Sequence, residues 1–262
     1  MLTAPGNRYL ASHDITGFWP DAPTFKFMAL CEFRTLPASG KDADDYPLRA
    51  TDPMSWFTSL KPWCKGLRLH YTESVRGPHQ QSDTRDRMLV GFVGGGPRWL
   101  IEAAGQDRSE LWQGFHRFGE RGDAKPWLCT NILQAEIDPA DSEPVELHVA
   151  LSDLRTVLPE IEAYARDEGY ANFADCFASA SQALASKTVE DTPWLPDIRR
   201  YPGFSDAQLS VLQAVNHAWV FGGMGSWNDL GAGGERYDSL SERLFAALND
   251  SIAGLANSTY NG

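Results

Sequence analysis

A change of hydrophobic period near Leu151 constrains this chain more than any other feature. Before it, apolar side chains tend to alternate, which is the period of a strand with one face buried. In residues 24–33, Phe25, Phe27, Ala29, Cys31 and Phe33 fall on one side of the pleat. In residues 67–73, Leu67, Leu69 and Tyr71 oppose Arg68, His70 and Thr72. Residues 87–93 and 98–103 read as a hairpin closed by Gly94-Gly95-Gly96-Pro97, and apolar residues of both parities predict a central place in the sheet. Residues 111–118, 127–137 and 145–151 are further strand candidates, with turns at 119–125 and 138–144. Strands at short spacing without helices between them predict an antiparallel meander.

After Leu151 the period becomes helical. Pro159 suits a first helical turn, and Ile161, Tyr164 and Ala165 form a stripe that closes at Gly169. Asn172 opens a second helix carrying Phe173, Cys176, Phe177, Ala180 and Leu184. A proline-rich connector, residues 188–203, carries Trp194 and Tyr201 and is expected to pack along the surface. Ser205 with Gln208, and Ser239 with Glu242, have capping-box spacing ahead of two further apolar runs, residues 209–221 and the series Leu240, Leu244, Leu248, Ile252 and Leu255. The predicted class is α+β: an antiparallel sheet of about six strands in residues 1–150, covered by about four helices in residues 151–262, the two packed as one compact unit.

Composition excludes several functions. The 262 residues include 30 aromatics and are 42% apolar, too hydrophobic for a disordered chain. Lys and Arg total 23 against 35 Asp and Glu, a net charge of -12, and residues 151–262 carry 15 acidic against 7 basic side chains. Nucleic acid is not an expected partner, because phosphate neutralisation needs a net basic face and residues 61–125 intersperse 11 basic with 8 acidic groups. No apolar run approaches a membrane span, and residues 1–19 lack a basic start and apolar core, so the expected location is cytoplasmic. Cys31, Cys64, Cys129 and Cys176 are widely separated with no C-x-x-C pair, and they read as small, reduced core residues. The acidic loop at residues 37–53, with Asp42, Asp44, Asp45 and Asp52, lacks the glycine and closing glutamate of a calcium loop. No metal and no cofactor is expected. Nucleophile-elbow, zinc-helix and deaminase motifs are absent, and Ser39-Gly40-Lys41 lacks the other residues of a phosphate loop.

Dispersed groups remain. The six histidines show no helical pairing; His70 and His148 could meet across a sheet, and Glu102 and Glu136 could face one another as paired acids do. The most distinctive stretch is residues 214–237, AVNHAWVFGGMGSWNDLGAGGERY. On a structural reading Trp227 plugs a core while Asn228 and Asp229 cap turns; on a functional one His217, Trp227, Asn228 and Asp229 bind a ligand or partner. The loop follows a helix C-terminus, whose carbonyls present negative potential, so a cation, an amine or a basic side chain from a partner protein suits it better than phosphate. The segment AWVFGGMGSWNDL, with the Tyr and amphipathic helix after it, resembles C-terminal segments of uncharacterised bacterial proteins. That resemblance spans residues 205–248, implies a bacterial origin and brings no catalytic residues. The expected function is non-catalytic binding of a macromolecular partner, immunity-type or regulatory, through an acidic surface that meets a basic protein. The alternative is a hydrolase-like enzyme whose site is assembled from dispersed His and carboxylate groups.

Overall fold

The computed structural model describes residues 2–36, 46–72, 85–187, 189–190, 204–230 and 234–260. Its strands are β1 (Met28–Arg34), β2 (Leu48–Ala50), β3 (Cys64–Thr72), β4 (Arg98–Gly105), β5 (Ser109–Phe118) and β6 (Trp127–Ile137). Its helices are α1 (Thr3–Leu10), α2 (Pro53–Leu60), α3 (Asp86–Leu89), α4 (Leu147–Asp167), α5 (Ala171–Ser186), α6 (Asp206–Ala218) and α7 (Glu235–Asn257). The protein is therefore α+β, with a six-stranded, mostly antiparallel sheet followed by the long helices.

The sheet order is β2-β1-β6-β5-β4-β3. β3 to β6 form the expected meander, each strand antiparallel to the next. β1 then joins β6 in parallel, and β2 closes that side by pairing antiparallel to β1. One face of the sheet buries Cys31, Phe33, Leu67, Ala103, Trp112 and Cys129 against α1, α2 and the segment holding Phe18 and Phe25. The ring of Phe33 stacks on Trp56 at 4.2 Å between centroids, and Trp112 meets Trp56 edge-on at 5.6 Å. These pairs add specific geometry to the area they bury.

α4 to α7 enclose a second core, which includes Leu154, Leu158, Ile161, Phe177, Val211, Ala214, Leu244 and Leu248. They meet the sheet at β3, an edge strand whose unpaired backbone groups need partners. Two asparagines supply them. Asn7 donates to the Leu67 carbonyl and accepts from the Leu67 amide. Asn257 does the same at Leu69, accepting at 2.6 Å and donating at 3.2 Å. Each side-chain amide thus imitates one residue of a neighbouring strand, and Asn7 also donates to Thr259 at 2.9 Å.

Several local expectations are corrected. Of residues 24–33, only the stretch from Met28 is strand; Pro23–Phe25 is a 3-10 turn, and Phe27 is 56% exposed. Residues 87–93 are not a hairpin arm: α3 occupies Asp86–Leu89, and β4 lies next to the sheet edge. Residues 145–151 lead into α4, because the stripe of Leu147, Ala150 and Leu151 continues at helical spacing through Leu154 and Leu158. Pro159 consequently lies inside α4 and not in its first turn. Ser205 and Gln208 do form a capping box, whereas α7 begins at Glu235, ahead of Ser239. Asp52, from the acidic loop, caps α2 by accepting from the Ser55 amide at 2.9 Å. The rest of that loop up to residue 45, and residues 191–203 of the connector, lie outside the described residues.

Candidate functional site

The distinctive C-terminal loop is organised from its residue types upward. α6 ends at Ala218, and Gly222, Gly223 and Gly225 all take positive φ, which spares them the Cβ clash that other residues would suffer. Trp227–Asp229 then forms a 3-10 turn. Trp227 is fully buried, packed edge-on against Phe173 at 5.2 Å and Phe177 at 5.4 Å, and its Nε1 donates to Ser241 Oγ at 2.8 Å. Asp229 turns its carboxylate back on its own loop and accepts from the amides of Gly225 and Ser226. These two residues do structural work.

Asn228 reaches a residue that sequence reasoning missed. Its Oδ1 accepts from the Arg87 guanidinium at 2.8 Å, and its Nδ2 donates to the Arg87 carbonyl at 2.7 Å. The same guanidinium donates to Asp238 at 2.8 Å and Glu242 at 2.7 Å, and lies over the Tyr237 ring. Arg87 is only 3% exposed, and a buried cation needs this full set of partners. A basic side chain of the chain itself, Arg87, thus stands at this electronegative loop. Pairing with Asn228, Asp238 and Glu242 also explains why residues 86–89 wind into a turn and leave the sheet. His217 sits half-buried in the last turn of α6 and takes no part in this network.

Arg87 fastens the segment after α3 to the glycine loop. At Gly91 an added Cβ would lie 2.9 Å from the Gly223 nitrogen and 3.1 Å from the Gly222 Cα, so the two backbones touch. Flanking this contact are Phe92 at 70%, Val93 at 71% and Met224 at 103% exposure. Met88, in the turn before them, is also exposed, so the two touching loops present four large apolar residues to solvent. Large apolar side chains gathered at solvent mark an interaction site more often than isolated ones do.

A second constellation lies on β3 to β5. Glu102 is completely buried and accepts from His70 Nε2 at 2.7 Å, Ser109 at 2.7 Å and Ser142 at 2.6 Å, with Arg68 at 3.7 Å. Burial alone would raise its pKa; the hydrogen bonds from His70, Ser109 and Ser142 outweigh that and hold it at about 2. Glu110, buried on the adjacent strand, is shifted the other way: burial raises it, against the opposing pull of Arg49 and Arg108. His148 is exposed on α4 and does not meet His70; Glu136 is register partner to Glu110, not to Glu102. A pocket of about 540 Å³ lies between α4 and α7, and another of about 340 Å³ between α1, α6 and α7; the His70–Glu102 pair lines neither. Among the described residues no group of three or more His, Cys, Asp or Glu is placed to hold a metal, and no helix is long and apolar enough to cross a membrane. No protein-family model, characterised protein or solved structure matches this chain.

Proposed function

We propose that this is a non-catalytic binding protein, immunity-type or regulatory, that engages a basic protein partner. The observation that carries the reading is the two-loop tip of Met88, Phe92, Val93 and Met224, held out on a base fixed by Arg87 and the Gly91–Gly222 contact. Apolar side chains on a pre-ordered base lose little freedom when covered, so more of the contact energy appears as affinity. The exposed Asp229 and Glu235 follow the tip in a region that carries most of the net negative charge. That charge favours a basic partner by steering its approach. A cytoplasmic setting and a bacterial origin belong to the same reading.

The test compares partner capture by the wild type and by a Phe92→Ser/Met224→Ser double variant at low and at high salt. The reading expects the same captured proteins to be lost at high salt and by the double substitution, since exposed charges are screened beyond about 10 Å at 0.1 M salt. An identical captured set in the double variant, or capture indifferent to salt, would refute it. A hydrolytic reading draws support from one observation, the 2.7 Å contact of His70 with a buried carboxylate. It requires turnover of an ester or amide that is lost in His70→Gln.

A further inference from the structure

We propose that Cys31 and Cys129 form a peroxide-reactive dithiol that closes to an intramolecular disulfide, with His116 carrying the proton. Cys31 on β1 is the direct partner of Cys129 on β6, and Cys129 is in turn the direct partner of His116 on β5. The three side chains therefore stand in one row across three strands, on the same face. Paired strands run about 4.8 Å apart, inside the range of about 4.4–6.8 Å that disulfide Cα atoms span.

The row is built asymmetrically. Cys31 is completely buried, and Asn131 Nδ2 donates to its Sγ at 3.6 Å. The neighbouring Cys31 thiol and the His116 imidazole favour the Cys129 thiolate and lower its pKa against the opposing effect of burial, and Cys129 in turn raises that of His116. His116 lies at the solvent side of the row and is exposed. Cys129 itself is 3% exposed, and Gly114, two residues before His116, adds no side chain over its sulfur: a Cβ there would sit 3.1 Å from Asn131 Oδ1, 3.5 Å from Cys129 Sγ and 3.7 Å from His116 Cε1. The other cysteines lack this setting. Burial pushes the Cys64 thiol up to about 12, and burial likewise raises Cys176.

The chemistry balances with a peroxide as oxidant. The Cys129 thiolate attacks one peroxide oxygen, the O–O bond breaks, and the departing oxygen takes a proton from the His116 imidazolium, leaving Cys129 as a sulfenic acid. The Cys31 sulfur then displaces the sulfenic hydroxyl, its own proton leaving with that hydroxyl as water. The two cysteines lose two electrons and the peroxide gains them.

The experiment treats the folded protein with hydrogen peroxide and counts thiols after denaturation. The expected result is a fall from four free thiols to two, with a non-reducing peptide map joining Cys31 to Cys129 within one chain. In Cys31→Ser the reaction should stop at Cys129 sulfenic acid, trapped by dimedone. In His116→Asn, a change at an exposed position, thiol loss should slow about a hundredfold, the lower end of what a positioned proton carrier supplies. Oxidation confined to Cys176, a bond between two molecules, or no loss of thiols would overturn the proposal. If Cys31→Ser fails to fold, the His116→Asn rate decides, and an unchanged rate removes the imidazole from the mechanism.

Discussion

Replacing Glu102 by Gln removes one charge from the interior while keeping its shape, and the structure sets the size of the effect. Holding this carboxyl at about 2, against an ordinary 4.5, is worth about 3 kcal/mol at neutral pH. The folded value lies below the unfolded one, so the stabilisation is complete above about pH 5 and drains away as pH falls through about 4.5 to 2. Urea unfolding of both proteins across this range measures it. The expected gap is about 3 kcal/mol at neutral pH, closing toward zero near pH 2. Glu110→Gln serves as the internal contrast: the raised pKa of Glu110 favours its neutral form, so the same substitution there should cost little. A gap at Glu102 that is independent of pH, or absent at neutral pH, would refute the assignment of that carboxylate as charged and fully bonded.

Two further outcomes follow from the C-terminal loop. Trp227→Ala empties the centre of an aromatic cluster and should cost about 4 kcal/mol, measured by the same unfolding assay; a loss under about 1 kcal/mol would mean the side chain is not a plug. Arg87→Met removes the buried cation while Arg85 still pairs with the part-exposed Asp238 and Glu242, so it should cost about 1 kcal/mol, with faster amide exchange in residues 88–93 as a second readout. A variant with unchanged exchange there would show that the guanidinium does not anchor the tip.

The period change near Leu151 made the class legible, because alternation and helical recurrence are local properties of a sequence. Residues 127–137 match β6 end to end, and Ser205 with Gln208 marks the start of α6. The failures have a common physical source. Residues 87–93 have good strand composition, yet the conformation is decided by what lies around Arg87, and its partners Asn228, Asp238 and Glu242 are some 150 positions away. In residues 145–151 both periods fit the apolar positions, and the continuing stripe of α4 decides between them. The four loop residues singled out from sequence were divided by the fold: Trp227, Asn228 and Asp229 share one turn, and His217 stands apart from it. The tip of Phe92, Val93 and Met224 could not be read in advance, since it exists only where two glycine-bearing loops touch. The row of Cys31, Cys129 and His116 was equally hidden, because register between strands is not written in either strand alone.

The parallel pairing of β1 with β6 also orders the birth of the sheet. Cys31 and Asn131 touch across that pair although 100 residues separate them in the chain. β4, β5 and β6 follow one another through short connections and can pair as the polypeptide is made, whereas the inner edge of β1 must wait for β6 to arrive. During synthesis, Phe33 finds Trp56 of α2 early, while the edge of β1 that β6 will cover is displayed until residues 127–137 are made, and it is the part most in need of shelter from other nascent chains.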